Sequence, residues 1–480
     1  MAWGGTPGAS AWVKRLKEND PTFTSLHIFS FRRLSTSDFI DLFQALGSNT
    51  TLRELYCSGH RLTAEAANAL GEALRMNTTL EKIDIGDDTL GKGESSESFQ
   101  LLIAGLAQNQ GLKDLNLENK GIGKDNTEEG KRNLASLGEA LVHHSSLRHL
   151  NLSRNPLEEG ILSRILEPLS HANVSIKLAK LELAHCNIDA TGFSALLHLC
   201  QSSKVYLNYL DISGGLICPE LIPLSKALAE HATLETLKMC DMATNPTTSV
   251  QSILSSCVAN CLRTTSLASF WCVNNASGQI TLNALRDARI PAASRLIDLR
   301  LGGNSLGDDD AALLADWFQA SSADTLSSLV VDLSQNKLTA TSAMQLLSKT
   351  PAHALVLAGN DLKAIGELLE QHASACTAAS HSLRRLDVSC TSLSNEDFDA
   401  IYRHLCKPRE TRWLPSLQKL EIAGNVKNTA QDHADWQSIA ADIMEQRPDL
   451  EVLWGSRIGA PEDNAMDTTS LPPQLLQAMQ

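Results

Sequence analysis

Apolar residues recur along this chain in one figure. LRHLNLSRN (147–155) and LIDLRLGGN (296–304) share the layout L-x-x-L-x-L-x-x-N. LASFWCVNN (267–275) keeps it too, with Cys272 in the third apolar slot and Trp271 in a polar one. Alternation across L-x-L predicts a short strand, its leucines turned inward and its x residues outward. The figure starts fifteen times between Phe23 and Leu450. Its mean period is about 30 residues, at the long end of the roughly 20–29 typical of such repeats.

In six units the residue eight after the first slot is an asparagine, Asn155, Asn275, Asn304, Asn336, Asn360 or Asn425, and in another it is Cys186. A buried amide there can satisfy backbone groups of the turn that leaves the strand, which no aliphatic side chain can do. Helical stretches follow the turns. AEAANALGEAL (64–74) puts Ala66, Ala67, Leu70 and Leu74 on one face, and LASLGEAL (134–141) does the same with Leu134, Leu137 and Leu141. His143 and His144 close the second helix, where cationic side chains suit the dipole. Three helical turns per unit account for the long period. The expected fold is an α/β solenoid, a horseshoe with short parallel strands on the concave face and helices on the convex one.

On these residues the chain is identified as a leucine-rich-repeat protein of the ribonuclease-inhibitor-like class. LKENDPTFTSLHI (16–28), DFIDLFQALGSNTTLREL (38–55) and ANALGEALRMNTTLEKIDI (67–85) resemble the repeat domain of tropomodulins, which cap actin filaments. HLNLSRNPLEEGILSRILEPLS (149–170) and LSSLVVDLSQNKL (326–338) resemble the CARMIL family of capping-protein regulators. The resemblance implies a protein-binding scaffold with a link to the actin cytoskeleton. No functional residue carries over: the tropomodulin actin and tropomyosin segments and the CARMIL membrane-binding and capping-protein segments have no counterpart here. Ran GTPase-activating proteins share the repeat class, so a small GTPase is the alternative partner, although their acidic tail is not matched. Intracellular ligand sensing is a third reading.

Three domains are expected: an N-terminal cap over 1–22, the repeats over 23–458, and a flexible C-terminal tail over 459–480. Polar insertions at 91–97, 123–133 and 407–415 should loop out of the array. The first two, in adjacent units, are candidates for one edge of a binding surface. The net charge of −14 offers no footprint for nucleic acid or an anionic membrane. The N-terminus has no apolar signal segment, and no apolar run reaches the roughly 20 residues of a membrane helix. Eleven cysteines without paired spacing point to free thiols in the cytoplasm, with Cys257 and Cys261 packed in the core. No metal, cofactor or catalytic motif stands out, so a non-enzymatic role is expected.

Aromatic residues make up only 4% of the chain, which gives weight to those at outward positions. The middle x residues run from Tyr56 and Asp84 to Glu421 and Trp454. In the stretch around Asp211 to Arg300, Tyr209, Asp211, Lys238, Asp241, Trp271 and Arg300 come from four consecutive units and mix aromatic anchors with both charges, the composition of an interface hot spot. Two arrangements are open. These residues either grip a protein partner, or satisfy one another, with Lys238 and Arg300 paired to Asp241 and Asp298 beneath Trp271.

Overall fold

A computed structural model describes residues 8–142, 144–171, 176–202, 206–244, 250–264, 266–275, 281–286, 294–320, 328–372, 382–408, 411–425 and 430–454. The chain divides into two compact units, Met1–Asn336 and Lys337–Gln480. The 459–480 tail and His143 lie outside the described residues.

In the first unit the apolar figure folds as strand, turn and helix again and again. Its parallel strands follow chain order: Ser25–His27, Glu54–Ser58, Lys82–Gly86, Asp114–Asn116, His149–Asn151, Lys180–Glu182, Tyr209–Asp211, Thr236–Lys238, Ser269–Trp271, Asp298–Arg300 and Val330–Asp332. The second unit repeats the scheme with Ala354–Val356, Arg385–Asp387, Lys419–Glu421 and Glu451–Leu453. The inward leucines, such as Leu150, Leu181, Leu210 and Leu237, are fully buried. Helices cover the other side of that core. Ala64–Met76 buries Ala66, Ala67, Leu70 and Leu74, and Glu128–Val142 buries Leu134, Leu137 and Leu141. Gly71 and Gly105 bring helices Ala64–Met76 and Ser96–Leu106 into backbone contact, where a Cβ on Gly105 would stand 2.4 Å from the Gly71 Cα. Ahead of the first strand, helix Ala9–Lys17 buries Trp12, Val13 and Leu16.

The buried asparagines stitch neighbouring repeats. Asn304 donates from its side-chain amide to the Leu301 carbonyl of its own strand exit at 2.9 Å and to the Cys272 carbonyl of the unit before, while its Oδ1 accepts the Asn275 N–H at 2.9 Å. Asn336 accepts the N–H groups of Asn304 and Leu306, both at 3.0 Å. Asn155 accepts those of Lys120 and Ile122, and Asn425 in the second unit accepts those of Thr391 and Leu393.

A second asparagine ladder, not read from the sequence, runs at the helix C-termini. The Asn77 amide donates to the carbonyls of Leu46 and Asn49, and its Oδ1 accepts the N–H groups of Thr79 and Leu80. Asn109 repeats this one unit on, toward Leu74 and Asn77. In the second unit Arg447, fully buried, fills the corresponding place by donating to the Leu417 carbonyl at 2.7 Å.

Four expectations change. The 91–97 insertion does not loop out but forms a 3₁₀ turn, Gly93–Ser95, that runs into helix Ser96–Leu106. The 123–133 stretch ends as the first turn of Glu128–Val142, where Glu128 and Glu129 suit the helix N-terminus. Ser96 and Gln100 both donate to Glu129, which ties the two segments together. His144 is not a cation at a helix end: it is 1% exposed, and burial pulls its pKa down to about 4. In the last unit a single residue, not two, separates the buried Leu450 and Val452, so Leu453 rather than Trp454 pairs in register with Glu421.

Asn304→Ala would orphan buried backbone groups in two units at about 1–3 kcal/mol each. Chemical denaturation should therefore show a loss of more than about 3 kcal/mol, well beyond a simple truncation. A loss under about 1 kcal/mol would mean that the amide is not what joins the repeats.

Candidate protein-binding face

One register governs the outer strand face of the first unit. Tyr56, Asp84, Asn116, Asn151, Glu182, Asp211, Lys238, Trp271, Arg300 and Asp332 stand opposite one another in a single row. A second row, two residues earlier, holds Asp114, His149, Lys180, Tyr209, Thr236, Ser269 and Asp298. Neighbouring strands lie about 4.8 Å apart, so side chains in a row must touch.

Trp271 sits between two cations. The Lys238 Nζ lies 3.7 Å from the centre of its ring and the Arg300 guanidinium carbon 4.1 Å. The indole N–H donates to Asp298 at 2.7 Å, and the Arg300 Nε reaches the other Asp298 oxygen at 3.0 Å. Lys238 also approaches the Tyr209 ring at 5.6 Å, which takes Lys180 at 4.7 Å. Lys180 in turn pairs with Glu182 at 2.6 Å. Among the described residues, no carboxylate comes within ion-pair distance of Lys238. Burial pulls its pKa below the ordinary lysine value, and Asp211 opposes that shift. Asp211 is nearly buried and accepts the Ser213 N–H at 3.0 Å. Burial, helped by the Asp211 charge, pushes the Tyr209 hydroxyl far above its usual range.

Five of the six residues singled out in the sequence thus come together. Asp241 does not. It falls past the strand end in a turn with φ 51°, exposed, its N–H donating to the Val273 carbonyl at 2.9 Å. Of the self-satisfying arrangement, one half is present: Asp298 holds Arg300 and Trp271, whereas Lys238 does not pair with Asp241.

The network extends further than the middle positions showed. The His149 Nδ1 meets Asp114 at 2.9 Å and its Nε2 meets Glu182 at 2.6 Å. Burial alone would lower the His149 pKa, but the bonds to Asp114 and Glu182 outweigh it and raise the value. Burial likewise opposes the ionised form of Glu182, yet His149 and Lys180 bring its pKa down to about 2. Two strands before His149, Asp84 is held by Lys120, 2% exposed, with Nζ 2.9 Å away and a further bond to the Gly86 carbonyl at 3.0 Å. The signal for these residues was the first x of each strand, which carries Asp114, His149, Lys180 and Asp298 in turn.

A pKa raised in the folded state stabilises the fold below the unfolded value and loses that contribution as pH climbs through the folded one. The stability gap between wild type and His149→Gln should therefore be widest below about pH 6.5 and close as the pH rises. Denaturation curves across that range measure it. A gap that widens with pH would show that His149 is neutral between its carboxylates.

Comparison with known proteins agrees with the repeat architecture. The sequence model of the Leucine Rich Repeat matches residues 146–169. Leucine-rich repeat-containing protein 73 of Homo sapiens is 29% identical over 191 residues, 39% of this chain and 56% of that protein. Ribonuclease inhibitor of Sus scrofa is 25% identical over 253 residues, 53% of this chain and 45% of the relative. Protein CARMIL of Dictyostelium discoideum is 33% identical over 111 residues, 23% of this chain and 10% of its own length. The chain thus spans about half the length of the first two relatives. No helix among the described residues is long and apolar enough to cross a membrane. With its strand–turn–helix units, single register and asparagine-stitched turns, the chain has the leucine-rich-repeat fold and is similar to ribonuclease inhibitor.

Proposed function

We propose that this chain is a non-catalytic scaffold that holds a protein partner against the strand face of its first unit. The stack of Lys180, Tyr209, Lys238, Trp271 and Arg300 carries the reading. These half-buried side chains lock one another in place before any partner arrives, so little rotamer entropy remains to be lost on binding. Aromatic and arginine anchors of this kind dominate interface energetics. Lys238 brings a positive charge with no ion pair among the described residues, which suits an acidic feature on the partner.

The partner we propose is a component of the actin cytoskeleton, in the cytoplasm. That part rests on the likeness of the opening units to tropomodulin repeats and on the match to Protein CARMIL.

Trp271→Ala removes the ring that both cations share. It should weaken partner binding by about 2–4 kcal/mol in affinity capture and titration, with thermal stability little changed. If the variant unfolds while its surviving folded fraction binds normally, Trp271 is structural and the site is elsewhere. Co-sedimentation with actin filaments, and binding to actin monomers, addresses the partner separately: no association at micromolar protein removes the cytoskeletal assignment.

A further inference from the structure

The second unit has a cavity of its own on the strand face. It encloses about 660 Å³ and is lined by Arg385, Asp387, Cys390, Glu421, Val452 and Trp454 among others. That size falls within the roughly 300–1,000 Å³ of pockets that take small ligands, so it amply holds one long side chain.

Two carboxylates face each other across neighbouring strands there, Asp387 opposite Glu421. Both are about nine-tenths buried, with 9% and 8% exposure. Their surroundings differ. Glu421 is compensated twice, by Arg385 at 2.7 Å and Lys419 at 3.4 Å. Asp387 has one oxygen on the Ser389 N–H at 3.0 Å, and among the described residues no cation ion-pairs with it. The residue opposite it on the other side is Val356, which brings no charge. Burial, with Glu421 beside it, pushes the Asp387 pKa above the usual carboxylate value, against the opposing pull of the Ser389 bonds and the Arg385 charge. Arg385 reaches Asp387 only through its field while pairing with Glu421; a buried carboxylate with no ion pair of its own is costly, and an incoming cation relieves that cost.

The remaining walls suit the same ligand. An indole face attracts an ammonium or guanidinium group, and apolar side chains accept the methylene stem behind it. We propose that this cavity receives a lysine or arginine side chain of a protein partner, its charge set against Asp387 and its stem along Leu453 and Trp454. The site shares no residue with the stack around Trp271, and it stands or falls independently of that face.

The cavity carries its own reporter, because Cys390 lines it and is an exposed free cysteine. In the full chain, the rate of Cys390 alkylation by iodoacetamide can be followed by peptide mass spectrometry. The probes are acetyl-arginine methylamide and its neutral isostere acetyl-citrulline methylamide. At about twice its dissociation constant the arginine probe should slow alkylation about threefold, and the citrulline probe should not. Asp387→Asn should abolish the difference between the two. Equal protection by citrulline, no protection by arginine, or a difference that survives in Asp387→Asn would each overturn the proposal. Should Asp387→Asn fail to fold, the wild-type comparison and Trp454→Ala, which should lessen the arginine effect, still decide it.

Discussion

A buried side-chain amide with a partner in two repeats is the interaction on which this architecture rests. A strand three residues long cannot define its own position, and a turn that leaves it underground strands its backbone N–H groups. Asn304 and Asn336 answer both needs, since each holds its own strand exit and accepts from the turn before it. The cost of losing one amide is therefore spread over two units, and repeat stability becomes a property of joints. The second ladder through Asn77 and Asn109 ties the opposite ends of the first repeats in the same way.

Fixed register has a chemical consequence on the strand face. Side chains that share a row cannot avoid one another, so charge must be matched across strands or left deliberately open. Over the first unit it is mostly matched: Asp114 with His149, His149 and Lys180 with Glu182, Arg300 with Asp298. Aromatic rings fill the gaps, with Tyr209 and Trp271 each receiving cations from neighbouring strands. The exceptions are then informative. Among the described residues, Lys238 in the first unit and Asp387 in the second have no ion-pair partner, and their signs are opposite.

Strands, helix faces and the asparagine slots were legible because each follows from a strict spacing of leucine and a polar residue. The stack around Trp271 was legible for the same reason, since period-two alternation fixes which side chains face out. Asp241 was misplaced because the alternation ends with the strand at Lys238, and beyond it a left-handed turn residue redirects the chain. The polar insertions were misjudged because Glu128, Glu129 and Ser96 read as loop residues by polarity, although such residues also start helices. His149 between two carboxylates and Lys120 beneath Asp84 depend on contacts 33 to 36 residues apart, which no local pattern encodes.

Several units depart from the stitch, with His60, Asp88, Lys120, Gly215, Met242 or Thr391 in the slot, and one more places a thiol there. Cys186 stands in the asparagine slot, its thiol 3.1 Å from the Leu152 carbonyl, while the Leu157 N–H turns instead to the Cys186 backbone carbonyl at 2.9 Å. A thiol is a weak donor and a weak acceptor, where an amide offers two donors and a strong acceptor. This joint is held by strand pairing, leucine packing and the 2.6 Å contact of His149 with Glu182 across it, with less help from its slot residue. Where no amide is shared between two units, the side chains on the strand face do the splicing, so one set of contacts both shapes the surface and keeps the repeats in step.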